Sequence, residues 1–428
     1  MRCLLALATP FLTLLGGCYL AHGLGDDDAT GGPTTRVDAG PTPVDPSTSE
    51  DRGPDSRPSD YDDADDWEDP PEGARCCELD PPILVAERPM GSVDPASLAF
   101  NGTTWGVFVP ASFREPAEFI ELERLGSPTG HRLPLGTDTV HRMPAHWVDG
   151  RFLVSSRSLP GTLDSSRRDR SGRAEGPWLP TLELSAPTPH GHDVGWLTHE
   201  ARTLAVGTDE RGRAELGIVE ADGELRQYRI RTRGDAAFAR VVGLRSRAAL
   251  AVSELNNRVT IRSAQGRGGI SDAVVLARGD GEPQLHGGLA VAALRDLAIV
   301  AYEQADGTHT AVYDPFDERL VDGPHALAGE PTRGRVLLDL GADDKRNLMG
   351  LCRMIGGRNP AIVLDVLDAN GRPLSPPVRI AGAGSDRPVS EGMLAGGCSV
   401  GSDSDGFLVA WNVLRQGVWV RRARLRTD

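Results

Sequence analysis

The sequence has 428 residues, a formal net charge of −15 and 39% hydrophobic residues. A chain of this length and hydrophobic content can bury a large core, and its composition is that of a globular protein. Its acidic balance argues against a nucleic-acid partner, because nucleic-acid binders carry a clustered basic surface. We therefore expect a sizeable folded domain and no nucleic acid.

The first seventeen residues carry the pattern of an export signal. One arginine, Arg2, precedes an apolar stretch from Cys3 to Leu15, and Gly16, Gly17 and Cys18 follow. A short basic start, an apolar core and small residues before a cleavage point are typical of a secretory signal peptide. A membrane-spanning helix needs roughly 20 apolar residues, and this run is shorter. We favour a signal peptide over residues 1–17, with an uncleaved or non-lipidated signal as the alternative.

The end of this signal resembles the lipobox of bacterial lipoproteins. The resemblance rests on the run Leu14-Leu15-Gly16-Gly17-Cys18. It implies a diacylglycerol on the Cys18 sulfur, cleavage after Gly17 and acylation of the new amino terminus. Several acyl chains hold a protein stably on a membrane. Tyr19 stands where many inner-membrane lipoproteins carry aspartate, so the resemblance implies a lipid anchor in the outer membrane of a bacterial cell envelope.

Residues 18–80 have the composition of a disordered linker. Between Tyr19 and Asp80 there are 18 acidic and 4 basic residues, and Thr30 to Pro58 is rich in Gly, Pro, Thr, Ser and Asp. Such a segment cannot bury enough apolar surface to offset its ordering entropy. The acidic run from Asp60 to Asp69 lacks the carboxylate offsets and glycine turn of a calcium loop. We interpret the segment as a flexible stalk, and its charge leaves residues 81–428 nearly neutral.

From Pro81 onward a unit of two short apolar strands around a tight polar turn recurs. Copies recur about every 40–50 residues, a period typical of propeller blades. The seven copies span Ser97–Val109, Ala145–Ser156, Val194–Thr208, Val241–Ser253, Leu289–Tyr302, Val336–Cys352 and Gly396–Trp411.

Residues 81–428 therefore resemble the β-propeller superfold. Each period has room for a second hairpin, and turns such as Asp222-Gly223 and Asn370-Gly371 are strong hairpin signals. We predict an all-β domain with seven blades; six or eight blades, or tandem β-sandwiches, are the alternatives. In the second unit, Pro160 to Pro177 reads as a polar insertion without strand character.

The two ends of the repeat region predict how the ring closes. The last unit supplies its inner pair and then Val418–Leu425, which leaves it one strand short. An unassigned apolar strand, Ile83–Glu87, stands before the first unit. If that strand becomes the outermost strand of the last blade, the first and last blades are joined and the ring has no open seam.

Four cysteines besides Cys3 and Cys18 are candidates for disulfides, in agreement with export. Cys352 ends the second strand of the sixth unit, and Cys398 lies on the first strand of the seventh. Because adjacent blades stack face to face, a bridge between these two is reasonable. Cys76 and Cys77 could form a vicinal bridge or stay reduced.

The sequence assigns no catalytic residue and no cofactor. Gly397 to Gly401 matches the G-x-S-x-G nucleophile elbow, which requires a turn from strand to helix. Here Ser399 falls on a repeat strand that is followed by another strand, so we interpret it as a structural strand residue. A partial match to a calcium-binding loop occurs at Asp403-Ser404-Asp405-Gly406. It lacks the remaining carboxylates of such a loop, so we expect a hairpin turn there.

Several histidines precede the inner strands and could converge at one mouth of a central channel. Imidazole and carboxylate groups in such a place form either a metal site or a polar binding rim. The alternative is that they are solvated loop residues. Trp147 and Trp196 occupy nearly matching repeat positions, where blade packing is favoured over ligand stacking. The candidate metal ligands are His146, His192, Asp193 and His286, and His190 lies close by in the sequence.

Taken together, the sequence favours a binding or scaffolding protein over an enzyme. The expected partners are the membrane, through the lipid anchor, and an envelope protein or glycan. The alternative is a hydrolase or lyase that acts on polysaccharide or peptide at the channel mouth. No pair of spaced carboxylates can be assigned as a general acid and base, which favours binding.

Overall fold

The folded part of the chain begins at residue 76. A computed structural model describes residues 76–87, 94–112, 115–137, 141–158, 161–184, 191–220, 222–279, 288–329, 337–355, 361–382 and 394–426, all within the unit Asp62–Asp428. The signal peptide, Cys18 and the linker up to residue 75 lie outside the described residues, as do His190 and His286. Within the described ranges, no helix is long and apolar enough to cross a membrane.

The described residues form 29 antiparallel β-strands in seven sheets. Two strands come before the repeats, namely β1 (Cys77–Leu79) and β2 (Ile83–Glu87). The first blade contains β3 (Ser97–Phe100), β4 (Trp105–Val109), β5 (Glu118–Leu122) and β6 (Pro128–Pro134). The second contains β7 (Ala145–Val148), β8 (Arg151–Ser158), β9 (Thr162–Arg168) and β10 (Leu179–Glu183). The third contains β11 (Asp193–Leu197), β12 (Arg202–Thr208), β13 (Ala214–Val219) and β14 (Leu225–Ile230).

The remaining four blades continue the pattern. The fourth contains β15 (Ala236–Gly243), β16 (Arg247–Glu254), β17 (Val259–Gln265) and β18 (Val274–Ala277). The fifth contains β19 (Leu289–Leu294), β20 (Leu297–Gln304), β21 (Gly307–Asp314) and β22 (Arg319–Ala326). The sixth contains β23 (Asp339–Asp343), β24 (Leu348–Ile355), β25 (Ala361–Leu367) and β26 (Val378–Gly382). The seventh contains β27 (Leu394–Asp403), β28 (Gly406–Val413) and β29 (Gly417–Leu425).

The sheets form a closed ring. The first strand of each sheet contacts the first strand of the next, from β3 through β7, β11, β15, β19, β23 and β27 back to β3. Within each blade the strands pair in sequence order, so the first strand is innermost. The prediction of seven propeller blades is confirmed; tandem sandwiches and rings of six or eight blades do not describe the fold.

The seventh blade takes its outer edge from the start of the domain, as the sequence predicted. β2 pairs antiparallel with β29, with Ile83 opposite Val420 and Glu87 opposite Gly417. β1 continues the same edge, with Cys77 opposite Leu425. The sheet therefore starts upstream of Pro81, the predicted domain start. Three residues directly after an acidic run carry too little alternation to be recognised as a strand.

One strand contradicts the sequence prediction. β9 lies within Pro160 to Pro177, which was expected to have no strand character, and it pairs with both β8 and β10. Its polar side chains are buried within the blade, among them Ser165, Ser166 and Arg168. The Arg168 guanidinium donates to the carbonyl oxygens of Gly172 and Leu135 and lies 5.3 Å from the Trp178 ring centroid. Hydropathy alone cannot identify a strand whose buried polar groups find partners elsewhere in the fold.

The apolar core lies between neighbouring blades. The large clusters join adjacent sheets; one contains Leu204 and Ile218 from the third blade with Val241 and Leu250 from the fourth. The middle strands are therefore buried on both faces, and every residue of β28 is buried. Such strands are continuous apolar runs, whereas the outer strands, such as β22, are largely polar and partly exposed. This layering leaves the inner strands free to line a central channel.

Candidate functional site

A cavity of about 380 Å³ lies at the centre of the ring. Residues from the innermost strands of all seven blades line it, from Ser97 in the first to Ser402 in the seventh. Its volume falls within the range of roughly 300–1,000 Å³ that is usual for small-molecule sites. The ring closure thus creates a candidate binding site that no single repeat contains.

Close approach of the inner strands narrows this channel. Gly243 ends β15 beside the backbone of Trp196, and a Cβ atom there would collide with the Trp196 carbonyl. Only glycine permits such a contact between two backbones. The spacing of the third and fourth blades at the channel wall therefore depends on this residue.

An arginine extends across one mouth of the channel. Arg142, which precedes β7, places Nη2 2.7 Å from Oδ1 of Asp339, the first residue of β23. Its Nε donates to Ser97 Oγ at 3.3 Å, and its backbone amide donates to Asp94 Oδ2 at 2.8 Å. These contacts join the first, second and sixth blades and fix the guanidinium in one position.

Two aspartates hold equivalent positions at the start of inner strands. Asp193 opens β11 and accepts a hydrogen bond from the Val241 amide of the next blade at 3.2 Å. Asp339 opens β23 and accepts one from the Val400 amide of its next blade at 3.0 Å. Each carboxylate thus links adjacent blades while its side chain lines the channel.

The charged groups at this mouth shift one another's pKa values. Burial alone lowers the pKa of Arg142, but Asp339, assisted by Asp193 and Asp94, raises the pKa above its ordinary value. Burial by itself raises the pKa of Asp193, but His146, Arg240 and Arg142 hold it below its ordinary value. Both groups are therefore charged at neutral pH, and the mouth is a network of fixed ions.

A second buried arginine belongs to this network. Arg240 on β15 donates from Nη1 to the carbonyl oxygens of His192 and Ala239, at 3.1 and 2.9 Å. Burial, with repulsion from Arg142, lowers the pKa of Arg240 to about 10, and Asp193 and Asp339 oppose this change. The residue still carries its charge at neutral pH.

The structure brings together part of the candidate metal set. His146 Nε2 lies 3.6 Å from Asp193 Oδ1, and His192 is buried directly before β11. His286 lies outside the described residues. Across the ranges that the structure describes, no three His, Cys, Asp or Glu side chains are grouped as metal ligands. In this part of the chain the histidines contribute to a polar rim, and the metal site stays a prediction.

Both tryptophans lie on the channel wall and also pack within the blades. Trp147 is half-buried, and its ring centroid lies 4.7 Å from that of Phe152. Trp196 is buried, and the Arg167 guanidinium lies 4.5 Å from its ring centroid. Trp147 therefore combines packing with a surface that a ligand can contact, and Trp196 mainly supports the wall.

The four cysteines Cys76, Cys77, Cys352 and Cys398 do not line the channel cavity. Cys352 on β24 and Cys398 on β27 form a disulfide between the sixth and seventh blades, with Cα atoms 6.0 Å apart. Cys76 and Cys77 are free thiols whose sulfurs lie 2.7 Å apart. The Cys77 hydrogen bond lowers the pKa of Cys76, while that same contact and burial raise the pKa of Cys77.

The two weak motifs have structural roles. Ser399 lies on β27, and its Oγ donates to the Ala96 carbonyl at 2.6 Å, so it is buried within the wall between blades. Asp403 ends β27, and its Oδ1 accepts from the backbone amides of Asp405 and Gly406. The Arg422 guanidinium binds both of its carboxylate oxygens, at 2.8 and 2.7 Å. The segment turns a hairpin, as expected.

Sequence reasoning found His146, His192 and Asp193 at this mouth but missed the two arginines and Asp339. One available signal was the repeat itself, because Asp193 and Asp339 both open inner strands in units three and six. No such signal existed for Arg142, since it reaches its partner across the ring from a connection between blades.

Comparisons with known proteins agree with this architecture. No family model and no curated protein matches the sequence. The BP39L lectin from Burkholderia pseudomallei is similar in structure, with a TM-score of 0.51 at 14% identity, and the match covers 76% of this chain and 97% of the lectin. Raptor from Chaetomium thermophilum also has a TM-score of 0.51, at 11% identity, over 83% of this chain and 29% of that longer one. The likeness is one of fold. This chain is a β-propeller.

Proposed function

We propose that this protein is a lipid-anchored binding module of the bacterial cell envelope. Its propeller takes a glycan at the mouth of the central channel. A lipid on Cys18 anchors the protein in the outer membrane. The acidic linker up to residue 75 separates the ring from the lipid surface. A propeller serves many functions, so the ligand is argued from the channel itself.

The observation that carries the proposal is the fixed polar rim over an aromatic-walled cavity. Arg142 and Asp339 hold each other at 2.7 Å, and His146 and Trp147 line the wall beside them. Pre-positioned hydrogen-bonding groups reduce the entropy lost on binding. An aromatic ring next to donors and acceptors suits a sugar, which offers an apolar face and several hydroxyl groups. A cavity of about 380 Å³ has room for a sugar residue and not for a folded partner.

Binding is favoured over hydrolysis by the state of the carboxylates. Asp193 and Asp339 each accept a backbone amide from the neighbouring blade, and the pKa of Asp193 is held low. A general acid needs a raised pKa and a proton to donate. Both carboxylates hold the rim together, and Asp193 stays ionised.

Glycan binding by the full-length protein in detergent tests the proposal. We expect Trp147→Ala to weaken the affinity for uncharged glycans that bind the wild type by roughly tenfold or more, as for a central aromatic contact. Trp178→Ala is the matched control, because Trp178 is a half-buried tryptophan outside the channel lining. Unchanged affinity in Trp147→Ala, or an envelope protein as the sole partner captured from membranes, would contradict a glycan site in the channel.

A further inference from the structure

Five arginines surround a groove at the outer side of the third and fourth blades. The groove has a volume of about 910 Å³, and its walls come from β14, from the connection to β15 and from the β17–β18 hairpin. The only acidic residue among those that line it is Asp272. The arginines are Arg229, Arg231, Arg233, Arg258 and Arg262. In a domain that is nearly neutral as a whole, this is a concentrated basic site.

Two of these arginines are built into the fold. Arg258 Nη1 lies 3.1 Å from Oε1 of buried Glu254. Arg262 is 6% exposed, and its guanidinium donates to Thr260 Oγ1 and to the Arg231 carbonyl. Burial and the nearby charge of Arg258 lower the pKa of Arg262. They form a rigid, positively charged floor.

The other three arginines are open to a ligand. Arg229, Arg231 and Arg233 are exposed, and no carboxylate in the described part of the chain forms an ion pair with any of them. Two exposed arginines outside the groove, by contrast, have acidic partners: Arg245 pairs with Asp296 and Arg319 pairs with Asp317. The unbalanced positive charge of the groove is therefore available to an anion.

The chemistry of the walls selects the kind of anion. A guanidinium binds carboxylate and sulfate through two parallel hydrogen bonds. Tyr228, Ile270 and Val275 add an aromatic ring and apolar surface between the charges. A single tyrosine is too little for a run of stacked bases, and a concave groove excludes a flat bilayer. We propose that this groove binds an acidic oligosaccharide whose carboxylate or sulfate groups pair with Arg229, Arg231 and Arg233.

The protein's own acidic segment is a poorer occupant. Its run from Asp60 to Asp69 is tied to β1, which belongs to the seventh blade, and two blades separate that blade from the groove in either direction. Asp69, seven residues before Cys76, reaches at most about 25 Å from it, and Asp60, sixteen residues before Cys76, reaches at most about 55 Å. Strands about 4.8 Å apart in two opposite blades, with the channel between, put the far edge more than roughly 35 Å away. To reach the groove, the acidic segment would have to stay extended around the ring at a cost in conformational entropy, so an external ligand is favoured.

Direct binding to the full-length protein in detergent tests this site independently of the channel. The probes are heparin and oligogalacturonate fragments, with cellohexaose as the uncharged control. We expect Arg229→Gln, Arg231→Gln and Arg233→Gln together to weaken acidic-probe binding roughly tenfold at low salt, since each exposed charge contact contributes modestly. Wild-type affinity should fall as salt rises. The matched control is Arg245→Gln, Arg319→Gln and Arg372→Gln, which removes the same charge and should leave affinity within about twofold.

Several outcomes would overturn the proposal. One is equal affinity of wild type and the groove variant for the acidic probes, or an equal loss in the control variant. A second is tighter binding of single-stranded DNA or anionic vesicles than of either oligosaccharide, which would assign the groove to another ligand. A third is a tenfold gain when Asp62, Asp63, Asp65 and Asp66 become Asn, which would assign it to the acidic segment. Retained acidic-probe binding in Trp147→Ala separates this site from the channel.

Discussion

Arg142 and Asp339 form an ion pair across the mouth of the central channel, with Nη2 2.7 Å from Oδ1. Arg142 lies just before the second blade and Asp339 in the sixth, and these two blades are not neighbours in the ring. Their side chains are only 13% and 19% exposed. The pair therefore connects distant parts of the ring and at the same time sets the polar character of the channel entrance.

We expect removal of one partner of this pair to destabilise the protein more than removal of both. Arg142→Gln leaves the Asp339 carboxylate poorly compensated, at a cost of about 2–3 kcal/mol in the free energy of unfolding. Urea denaturation of Arg142→Gln, Asp339→Asn and the double variant measures the coupling. Asp317 and Arg319, an exposed pair, are the control and should couple by less than about 1 kcal/mol. Additive effects at Arg142 and Asp339 would mean that the pair contributes nothing to stability.

The pH dependence of stability should reveal Glu303. Burial raises the pKa of this residue to about 7, although the Gly288 amide, at 3.2 Å, and Arg353 partly oppose the change. Between its ordinary pKa and about 7, the Glu303 carboxyl is therefore protonated in the folded protein and ionised in the unfolded chain. The free energy of unfolding should fall as pH rises from about 4.5 to about 7, by about 2–3 kcal/mol, and then level off.

Glu303→Gln should remove this part of the pH dependence. The measurement is urea denaturation at pH 5 and pH 8 for both proteins. Exposed Glu210→Gln is the control and should behave as the wild type does. The same loss of stability between the two pH values in Glu303→Gln would exclude this residue as its source.

A methyl group at Gly243 should disturb the channel wall. Because a Cβ there would collide with the Trp196 carbonyl, we expect Gly243→Ala to cost about 1–3 kcal/mol in the free energy of unfolding. Gly176 has open space around the position of a Cβ, so Gly176→Ala is the control and should have little effect. Equal stabilities of the two variants would show that the inner strands can separate at no cost.

Ring closure should depend on the first strands of the domain. Deletion of Pro81–Glu87 removes β2, which exposes the backbone edge of β29 from Gly417 to Val420. We expect a lower melting temperature and aggregation in thermal unfolding with light scattering. Deletion of Thr30–Asp60 is the control, since a segment of that composition buries no core. A melting temperature unchanged by the first deletion would contradict closure through β2.

Cys18→Ser should release the protein from membranes. The apolar run before Cys18 is too short to span a bilayer, so the proposed lipid carries the attachment. Cell fractionation, with the mass of the mature amino terminus, is the measurement. Membrane retention of the serine variant, or an unacylated wild-type terminus, would contradict the lipoprotein proposal.

The sequence by itself determined the number of blades and the way in which the ring closes. Both follow from local patterns, because apolar strands, Asp-Gly and Asn-Gly turns and a repeat period can be recognised in the sequence. The same reasoning failed at β9, where Ser165, Ser166 and Arg168 are buried and Arg168 donates to the Leu135 carbonyl of another segment. Hydropathy measures each residue's own preference and not the partners that the fold supplies.

Only the tertiary structure decided where the charges meet. Arg142 and Asp339 are 197 residues apart, and their pairing depends on the curvature that brings the second and sixth blades to one channel. The net charge of residues 81–428 is nearly zero, and it concealed the arginine groove because a net charge does not record where the charges lie. Strand formation is set by neighbouring residues, whereas both candidate sites are set by distances across the ring.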